Sequence, residues 1–401
     1  MTRRPLIGLL TAESVSMAGS RVSTVAVPWL VLTTTGSATR VGVVAFAQLL
    51  PLVLAGLIGG PLVDRAGPRR IAIAADSVSV LAVGSVPLLH ALGHLSFGVL
   101  VLAMIVAGSA AGLGDTAKHA LAPQVIADSG VSTTRGATLF DGIGRTAMLV
   151  GLPLGGVLIA VFGPAGVLAV DAASFAFCAV VVATTVRPLR RRDAAPESYL
   201  AALRTGFGYF RRDSLISAIV GLLFFTNLVD QAYIAVLVPV WVRDTGAATS
   251  TLGLIGGAFG LGAVLGNLTY LTLADRLPRR ATFAICFLLG GPVRLFALAV
   301  TDDLTAVLMV VLVSGFLAAA INPILSAVGY ERIPPDLRGR VLGAITACSW
   351  AGVPVGALLG GLTVESLGLH PALLIGGGIY VLVTLTPFIL PTWRQLNPAA
   401  A

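Results

Sequence analysis

Residues 41–70 are VGVVAFAQLLPLVLAGLIGGPLVDRAGPRR, an apolar run that stops at one aspartate and three arginines. The hydrocarbon core of a bilayer is crossed by about 20 apolar residues in helical form. The same alternation of a long apolar run and a short basic break recurs along the whole chain. This pattern predicts an all-α membrane protein.

The composition supports the same fold class. The chain has 401 residues, of which 56% are hydrophobic and 11% are charged. Soluble domains carry about 25% charged residues, so a soluble fold could not cover this much apolar surface. Division at the polar breaks predicts twelve spans, namely 6–32, 41–62, 71–91, 95–116, 138–161, 166–186, 214–240, 251–273, 281–300, 305–328, 341–363 and 371–391.

The basic residues predict the orientation of these spans, because cytoplasmic segments are rich in arginine and lysine. With both termini in the cytoplasm of a bacterial cell, the inner segments hold 21 basic residues, Lys118 among them, and the outer loops hold Arg40 and Arg243. The net charge of +8 is therefore typical of a multi-pass protein of the cytoplasmic (inner) membrane and does not indicate a nucleic-acid partner.

The chain divides into two halves that repeat. We expect an N-terminal six-helix half (1–186), a cytoplasmic linker (187–213) and a C-terminal six-helix half (214–401). Three features recur about 211 residues later: Pro28-Trp29, the turn 35–39 and Asp64-Arg65 return as Pro239-Val240-Trp241, the turn 245–249 and Asp275-Arg276. An even number of spans in each half makes the repeat parallel, the arrangement of the two halves of major facilitator transporters.

A motif after the second span strengthens this interpretation. Gly60-Pro-Leu-Val-Asp64-Arg65-Ala-Gly67-Pro-Arg69-Arg70 resembles the signature of the major facilitator superfamily between spans two and three, with Pro68 in place of a basic residue. An aspartate at a helix end can pair with arginines across the cytoplasmic face. We therefore expect a latch that holds the halves in the outward-open state, formed by Gly60, Asp64, Arg65, Gly67, Arg69, Arg70, Asp275 and Arg276.

Further motifs narrow the resemblance. The run Gly151-Leu-Pro153-Leu-Gly155-Gly156 resembles an exporter signature with its proline displaced by one residue, although ordinary close packing of helices explains such glycines equally. With Asp171-Ala-Ala-Ser-Phe175, it makes the chain similar to the exporters of macrolides, enterobactin and mycobacterial drugs (the Tap type). The resemblance implies a secondary transporter that exports drugs or other amphipathic molecules, by proton antiport. An exporter dedicated to one metabolite or siderophore is the alternative.

Charged residues inside spans are candidates for function, because an unpaired charge there costs about 3 kcal/mol or more. The set is Glu13, Arg21, Arg145, Asp230 and Arg294. We expect Glu13 to carry the coupling proton, with Arg145 as its partner at a similar depth, and Asp230 as the alternative carrier. A purely structural ion pair remains open for either acid. Arg294, Asp76 and Asp171 fall on spans that are usually peripheral in this superfamily, where structural hydrogen bonds are expected for the two aspartates.

The other expectations concern the substrate and the excluded classes. The chain contains no nucleophile elbow, phosphate loop or His/Asp cluster, so we expect neither an enzyme nor a metal or organic cofactor, and the proton gradient supplies the energy. A two-half repeat is not typical of a channel. We expect a monomer whose partners are small molecules, protons and membrane lipid. The predicted cavity residues are Gln48, Phe224, Phe225, Asn227, Gln231, Tyr233 and Asn322.

Overall fold

The computed structural model describes residues 4–187, 199–334 and 337–397, and these residues form helices joined by short turns. The chain forms two compact units. The N-terminal unit comprises Met1–Ala195 and Ala248–Gly253, and the C-terminal unit comprises Pro196–Ala247 and Leu254–Ala401. An all-α membrane protein is thus confirmed.

Six helices build the N-terminal unit: α1 (Arg4–Thr35), α2 (Ala38–Ile58), α3 (Gly60–Ala66), α4 (Pro68–Ala91), α5 (Phe97–Ser129) and α6 (Thr133–Thr185). The last of these is two helices joined at Gly163, whose φ of 70° interrupts the helical backbone. Glycine is suited to this position because it has no Cβ to clash at positive φ. The break separates the predicted spans 138–161 and 166–186.

The C-terminal unit contains shorter helical segments. They are α7 (Tyr199–Arg212), α8 (Ser214–Ala232), a π-helix (Tyr233–Leu237), α9 (Val238–Asp244), α10 (Ser250–Leu273), a 3-10 turn (Ala274–Arg276), α11 (Arg279–Gly290), α12 (Pro292–Val300), α13 (Leu304–Ala318), α14 (Ile321–Arg332), α15 (Arg338–Trp350), α16 (Gly352–Leu367), α17 (Leu369–Ile389) and a 3-10 turn (Pro391–Leu396). Several predicted spans are therefore broken helices, as at Gly291 between α11 and α12. Helix α7 lies in the stretch that the sequence marked only as a hydrophilic linker.

Eleven helices of the described chain are long and apolar enough to cross a membrane. They correspond to the predicted spans except 138–161, and the stretch counted for the sixth span begins at Leu154 within α6. The chain is accordingly a multi-pass membrane protein.

Glycines set the distance between helices in the same way in both units. In the C-terminal unit, Gly352 lies against the backbone of Phe224 and Gly356 against that of Leu228, so α16 packs directly on α8. In the N-terminal unit, Gly155 lies against Val22 and brings α6 onto α1. Small residues permit this close approach of backbones in a membrane.

The packing predicts an effect of a single methyl group. A Cβ at Gly356 would overlap the carbonyl oxygen of Leu228, whereas a Cβ at Gly378 in α17 would meet nothing within 4 Å. We expect Gly356→Ala to lower the free energy of unfolding by about 1–3 kcal/mol through overpacking. Gly378→Ala should leave it unchanged or slightly raised, because alanine is the better helix former. Thermal unfolding of both purified variants checks this, and equal transitions would contradict it.

Candidate functional site

A buried lysine joins three helices of the N-terminal unit. Lys118 on α5 lies with its Nζ 3.1 Å from Oδ1 of Asp76 on α4 and 3.9 Å from Oε2 of Glu13 on α1. The same ammonium donates a hydrogen bond of 3.3 Å to Oγ of Ser16. Glu13, Asp76 and Lys118 expose only 2–3% of their surface. We call these three residues the buried triad.

The surroundings of the buried triad are apolar. Beside it packs a cluster of buried residues from α1, α5 and α6. This cluster includes Leu9, Ala12, Ala117, Leu121 and Cys178. Burial of an ion in such surroundings costs several kcal/mol unless its charge is balanced. The net charge of the triad therefore decides how its carboxyls are protonated.

The buried triad holds one ammonium and two carboxyls. With both carboxyls ionised it carries a surplus negative charge, and one bound proton removes that surplus. Asp76 lies closer to the ammonium than Glu13 does. Oε2 of Glu13 has no hydrogen-bond partner among the described residues. Oδ2 of Asp76 likewise has no hydrogen-bond partner there, so the distances alone make Asp76 the nearer counter-ion of Lys118.

Other charged groups lie near the buried triad and interact with it electrostatically. Asp115 and His119 lie on α5 on either side of Lys118, and both are exposed on the surface of the N-terminal unit. Arg21, on α1 two turns beyond Glu13, is half-buried and forms no ion pair within the described chain. The charge count above covers the three side chains that are shielded from water, and the exposed Asp115 and His119 add their charges beside it.

Two expectations about Glu13 differ from the observed geometry. Lys118, which the sequence counted among the basic residues of an inner segment, lies inside α5 and is buried. The reason is that α5 continues beyond the predicted end of its span, to Ser129. The side chain of Arg145, the expected partner of Glu13, lies outside the described part of the chain. The observed partner is Lys118.

A second charged cluster lies in the C-terminal unit. Arg294 on α12 pairs through Nη2 with Oδ1 of Asp230 on α8, and its Nε donates to the carbonyl oxygen of Gly291 at 3.2 Å. The arginine is buried, and the carboxyl of Asp230 is about one-third exposed. Gly291 is the residue between α11 and α12, directly before the helix that carries Arg294. This pair has no net charge.

Aromatic rings complete the second cluster. The guanidinium carbon of Arg294 lies 4.7 Å from the ring centroid of Tyr233 and 5.6 Å from that of Phe259. Such cation–π contacts stabilise a desolvated arginine. Tyr233 begins the π-helix, and π-turns within α-helices occur frequently at functional sites. Its ring is buried beneath Arg294, although the sequence predicted Tyr233 to line a cavity.

Asp171 makes structural hydrogen bonds, as expected. Its carboxyl accepts from the hydroxyl of Ser23 on α1 and, at 3.3 Å, from that of Ser174 in its own helix. Gly19 lies directly against the same carboxyl. The Asp171–Phe175 motif thus ties α6 to α1.

The second arginine of the signature motif has an unforeseen role. Arg69 donates from Nε to the carbonyl oxygen of Val186 and from Nη2 to that of Ala183, both at 2.6 Å. Its counterpart Arg280 donates to the carbonyl oxygens of Pro387 and Phe388, both at 2.9 Å. In each unit this arginine satisfies carbonyls that a helix end leaves without partners. It fastens a helix end within its own unit.

The other motif residues lie at the surface of their units. Gly67 has a φ of 92° and ends α3, which explains the glycine at this turn. Gly60 is half-buried at the start of α3. The charged side chains exposed in the motif and its copy are those of Asp64, Arg65, Arg70, Asp275 and Arg276. The latch stays a prediction.

The exporter motif lies at close helix contacts. Gly151 lies against Arg21, Gly155 against Val22, and Gly156 against Gly253, which is grouped with the same unit. The side chain of Pro153 lies outside the described residues. These contacts favour close packing as the reason for the glycines.

The predicted cavity residues have varied environments. Asn227 donates to the carbonyl oxygen of Ser349 at 3.0 Å, and Phe224 and Phe225 make an edge-to-face contact. Gln48 and Gln231 are half-buried, and Asn322 is exposed. Their role as cavity lining stays a prediction.

Comparison with known proteins identifies the class. The solved structure of the nucleoside transporter NupG superposes with a TM-score of 0.78 at 12% identity, covering 98% of this chain and 99% of that chain. Such a likeness shows the fold alone, which is that of a major facilitator transporter.

The family follows from sequence. The model of the transmembrane secretion effector family matches residues 6–400, and the chain belongs to this family of transporters, which are not enzymes. The multidrug efflux pump Tap of Mycolicibacterium fortuitum is 31% identical over 410 residues, covering 99% of this chain and 98% of that protein. The enterobactin exporter EntS of Salmonella choleraesuis is 24% identical over 388 residues, covering 96% and 92%.

The buried triad predicts a charge-dependent stability. Lys118→Gln leaves two buried carboxyls without a cation and should lower the free energy of unfolding by about 3–5 kcal/mol at neutral pH. The loss should shrink at acidic pH, where both carboxyls can bind protons. Adding Asp76→Asn should restore part of the loss. Thermal unfolding across a pH series measures all three effects.

A matched control is Glu331→Gln, which removes the exposed pair between Glu331 and Arg279. Exposed pairs contribute at most about 1 kcal/mol, so this variant should unfold almost like the wild type. If Lys118→Gln were equally mild at neutral pH, the buried triad would not control the electrostatics of the N-terminal unit.

Proposed function

We propose that this protein exports amphipathic small molecules from the cytoplasm by alternating access, in exchange for protons that bind at Glu13 of the buried triad. The single observation that carries the coupling site is the surplus carboxyl beside Lys118. Membership of the transmembrane secretion effector family supports transport, and similarity to the Tap multidrug efflux pumps supports a broad set of amphipathic substrates.

The surplus carboxyl suits proton coupling for an electrostatic reason. In a dry state the proton on Glu13 keeps the buried triad neutral. If a conformational change admits water or moves Lys118 towards Glu13, the ionised carboxylate of Glu13 is stabilised and its proton dissociates. Transport thus requires only a change in the environment of one side chain. Asp76 keeps Lys118 paired throughout.

The Asp230–Arg294 pair is less suited to carry the proton. Arginine does not deprotonate in proteins. A proton on Asp230 would leave the buried guanidinium of Arg294 without a counter-ion, a costly state. Asp230 therefore stays ionised in our proposal and fixes Arg294 against Tyr233. This argument favours Glu13 over the alternative carrier.

The proposed orientation of the chain in the membrane rests on the distribution of its basic residues. Removing Lys118 from the inner basic residues leaves twenty against two in the outer loops, so the bias remains strong. We therefore place both termini in the cytoplasm. A dedicated siderophore or metabolite exporter is the second candidate, favoured by the similarity to EntS.

The coupling proposal predicts a separation of transport modes. Glu13→Gln keeps the shape of the side chain but cannot titrate, so it should abolish export against a gradient and spare downhill exchange. Whole-cell efflux of amphipathic antibiotics and dyes, with and without a protonophore, identifies a substrate. Proteoliposomes with an imposed pH gradient then measure both transport modes.

Asp230→Asn is the comparison variant. It should lower thermal stability, because it leaves Arg294 unpaired, while its folded fraction still concentrates substrate in response to the pH gradient. Uphill export by Glu13→Gln would refute the proposed carrier. If no compound in the panel is exported by the wild type, the dedicated-exporter alternative gains support.

The latch is part of the same proposal. Asp64 is exposed and available for a charge-assisted contact, which we assign to the outward-open state. Asp64→Asn should shift the population towards the inward-open state. Spin labels across the cytoplasmic face report this shift, and unchanged interspin distances would count against the latch.

A further inference from the structure

A basic cavity lies where α1 begins and α6 ends in the N-terminal unit. Arg4, Arg69 and Arg187 line it together with Pro5 and the last turn of α6, residues 183–186. Its volume is about 290 Å³, near the lower end of the range for small-molecule sites. The lining contains three cationic side chains and no acidic one.

The cations of this cavity are available to a ligand. Arg4 and Arg187 are exposed and form no ion pair within the described chain. Arg69 uses its Nε and one terminal nitrogen on the carbonyls of Val186 and Ala183. These bonds cover the negative end of α6, which would otherwise repel an anion. The other terminal nitrogen of Arg69 makes no hydrogen bond to a described residue.

Apolar residues lie directly beside the cavity on both helices. Ile7 is three residues after Arg4 and is 61% exposed, and Val180 is four residues before Thr184 and is 62% exposed. Residues three or four apart lie on the same face of a helix. Each helix therefore presents a basic or polar group at its end and an exposed aliphatic side chain one turn further into the span.

We infer that this cavity binds the phosphate headgroup of an anionic membrane lipid, whose acyl chain lies along Ile7 and Val180. Basic pockets between membrane helices bind anionic headgroups in this way. The adjacent aliphatic side chains distinguish a lipid from a soluble anion, which would gain nothing from them. The bound headgroup would neutralise the arginines that gather where α1 and α6 meet.

The test uses the delipidated full-length protein in detergent, with phosphatidylglycerol as probe and phosphatidylcholine as zwitterionic comparison. Native mass spectrometry measures bound lipid. The wild type should retain phosphatidylglycerol in preference to phosphatidylcholine, and millimolar inorganic phosphate should not displace it. Arg4→Gln with Arg187→Gln should weaken phosphatidylglycerol binding by about thirtyfold, because two cations near the headgroup are lost.

The matched control is Arg135→Gln with Arg204→Gln, which removes two exposed arginines that do not line the cavity. This variant should bind phosphatidylglycerol like the wild type, and size-exclusion chromatography verifies that both variants fold. An equal loss of phosphatidylglycerol binding in both variants would mean that the binding depends only on the net charge of the protein. That result would overturn the inference. Displacement by inorganic phosphate, or no preference between the two lipids, would overturn it as well.

Discussion

The electrostatics of the N-terminal unit depend on one ammonium between two carboxyls. Lys118 is 3.1 Å from Asp76 and 3.9 Å from Glu13, and the three side chains are shielded by apolar residues. One cation cannot neutralise two carboxylates, so a bound proton is the simplest way to neutralise the second one. The proposed coupling mechanism follows from this count.

The two units use similar packing and different charges. Glycines bring α6 onto α1 in one unit and α16 onto α8 in the other, and Arg69 and Arg280 fasten equivalent helix ends. The buried charges do not follow this repeat. The N-terminal unit holds an unbalanced triad, whereas the C-terminal unit holds the balanced pair of Asp230 and Arg294. A repeated scaffold thus carries one site suited to proton exchange and one suited to structural support.

Much of the fold could be predicted because it depends on regular patterns along the chain. Apolar runs and arginine breaks located the spans, and the signature around Asp64 indicated the superfamily. The pairing of side chains could not be predicted, because it depends on helix ends and rotations. Lys118 lies just past a predicted span, and Arg294 pairs with Asp230 through a helix broken at Gly291. One signal was available: Lys118 is the only lysine among 26 basic residues.

The central claim is that the buried triad binds one proton. Infrared spectroscopy of the purified protein at neutral pH detects the C=O stretch of a protonated, buried carboxyl. Asp171 is a further buried carboxyl, so every variant in this test also carries Asp171→Asn. In this background we predict such a band with the triad intact and in Asp230→Asn. It should be absent in both Glu13→Gln and Asp76→Asn, because removal of either carboxyl leaves Lys118 with a single counter-ion. A band that survives in both of these variants, or that disappears only in Asp230→Asn, would contradict the account.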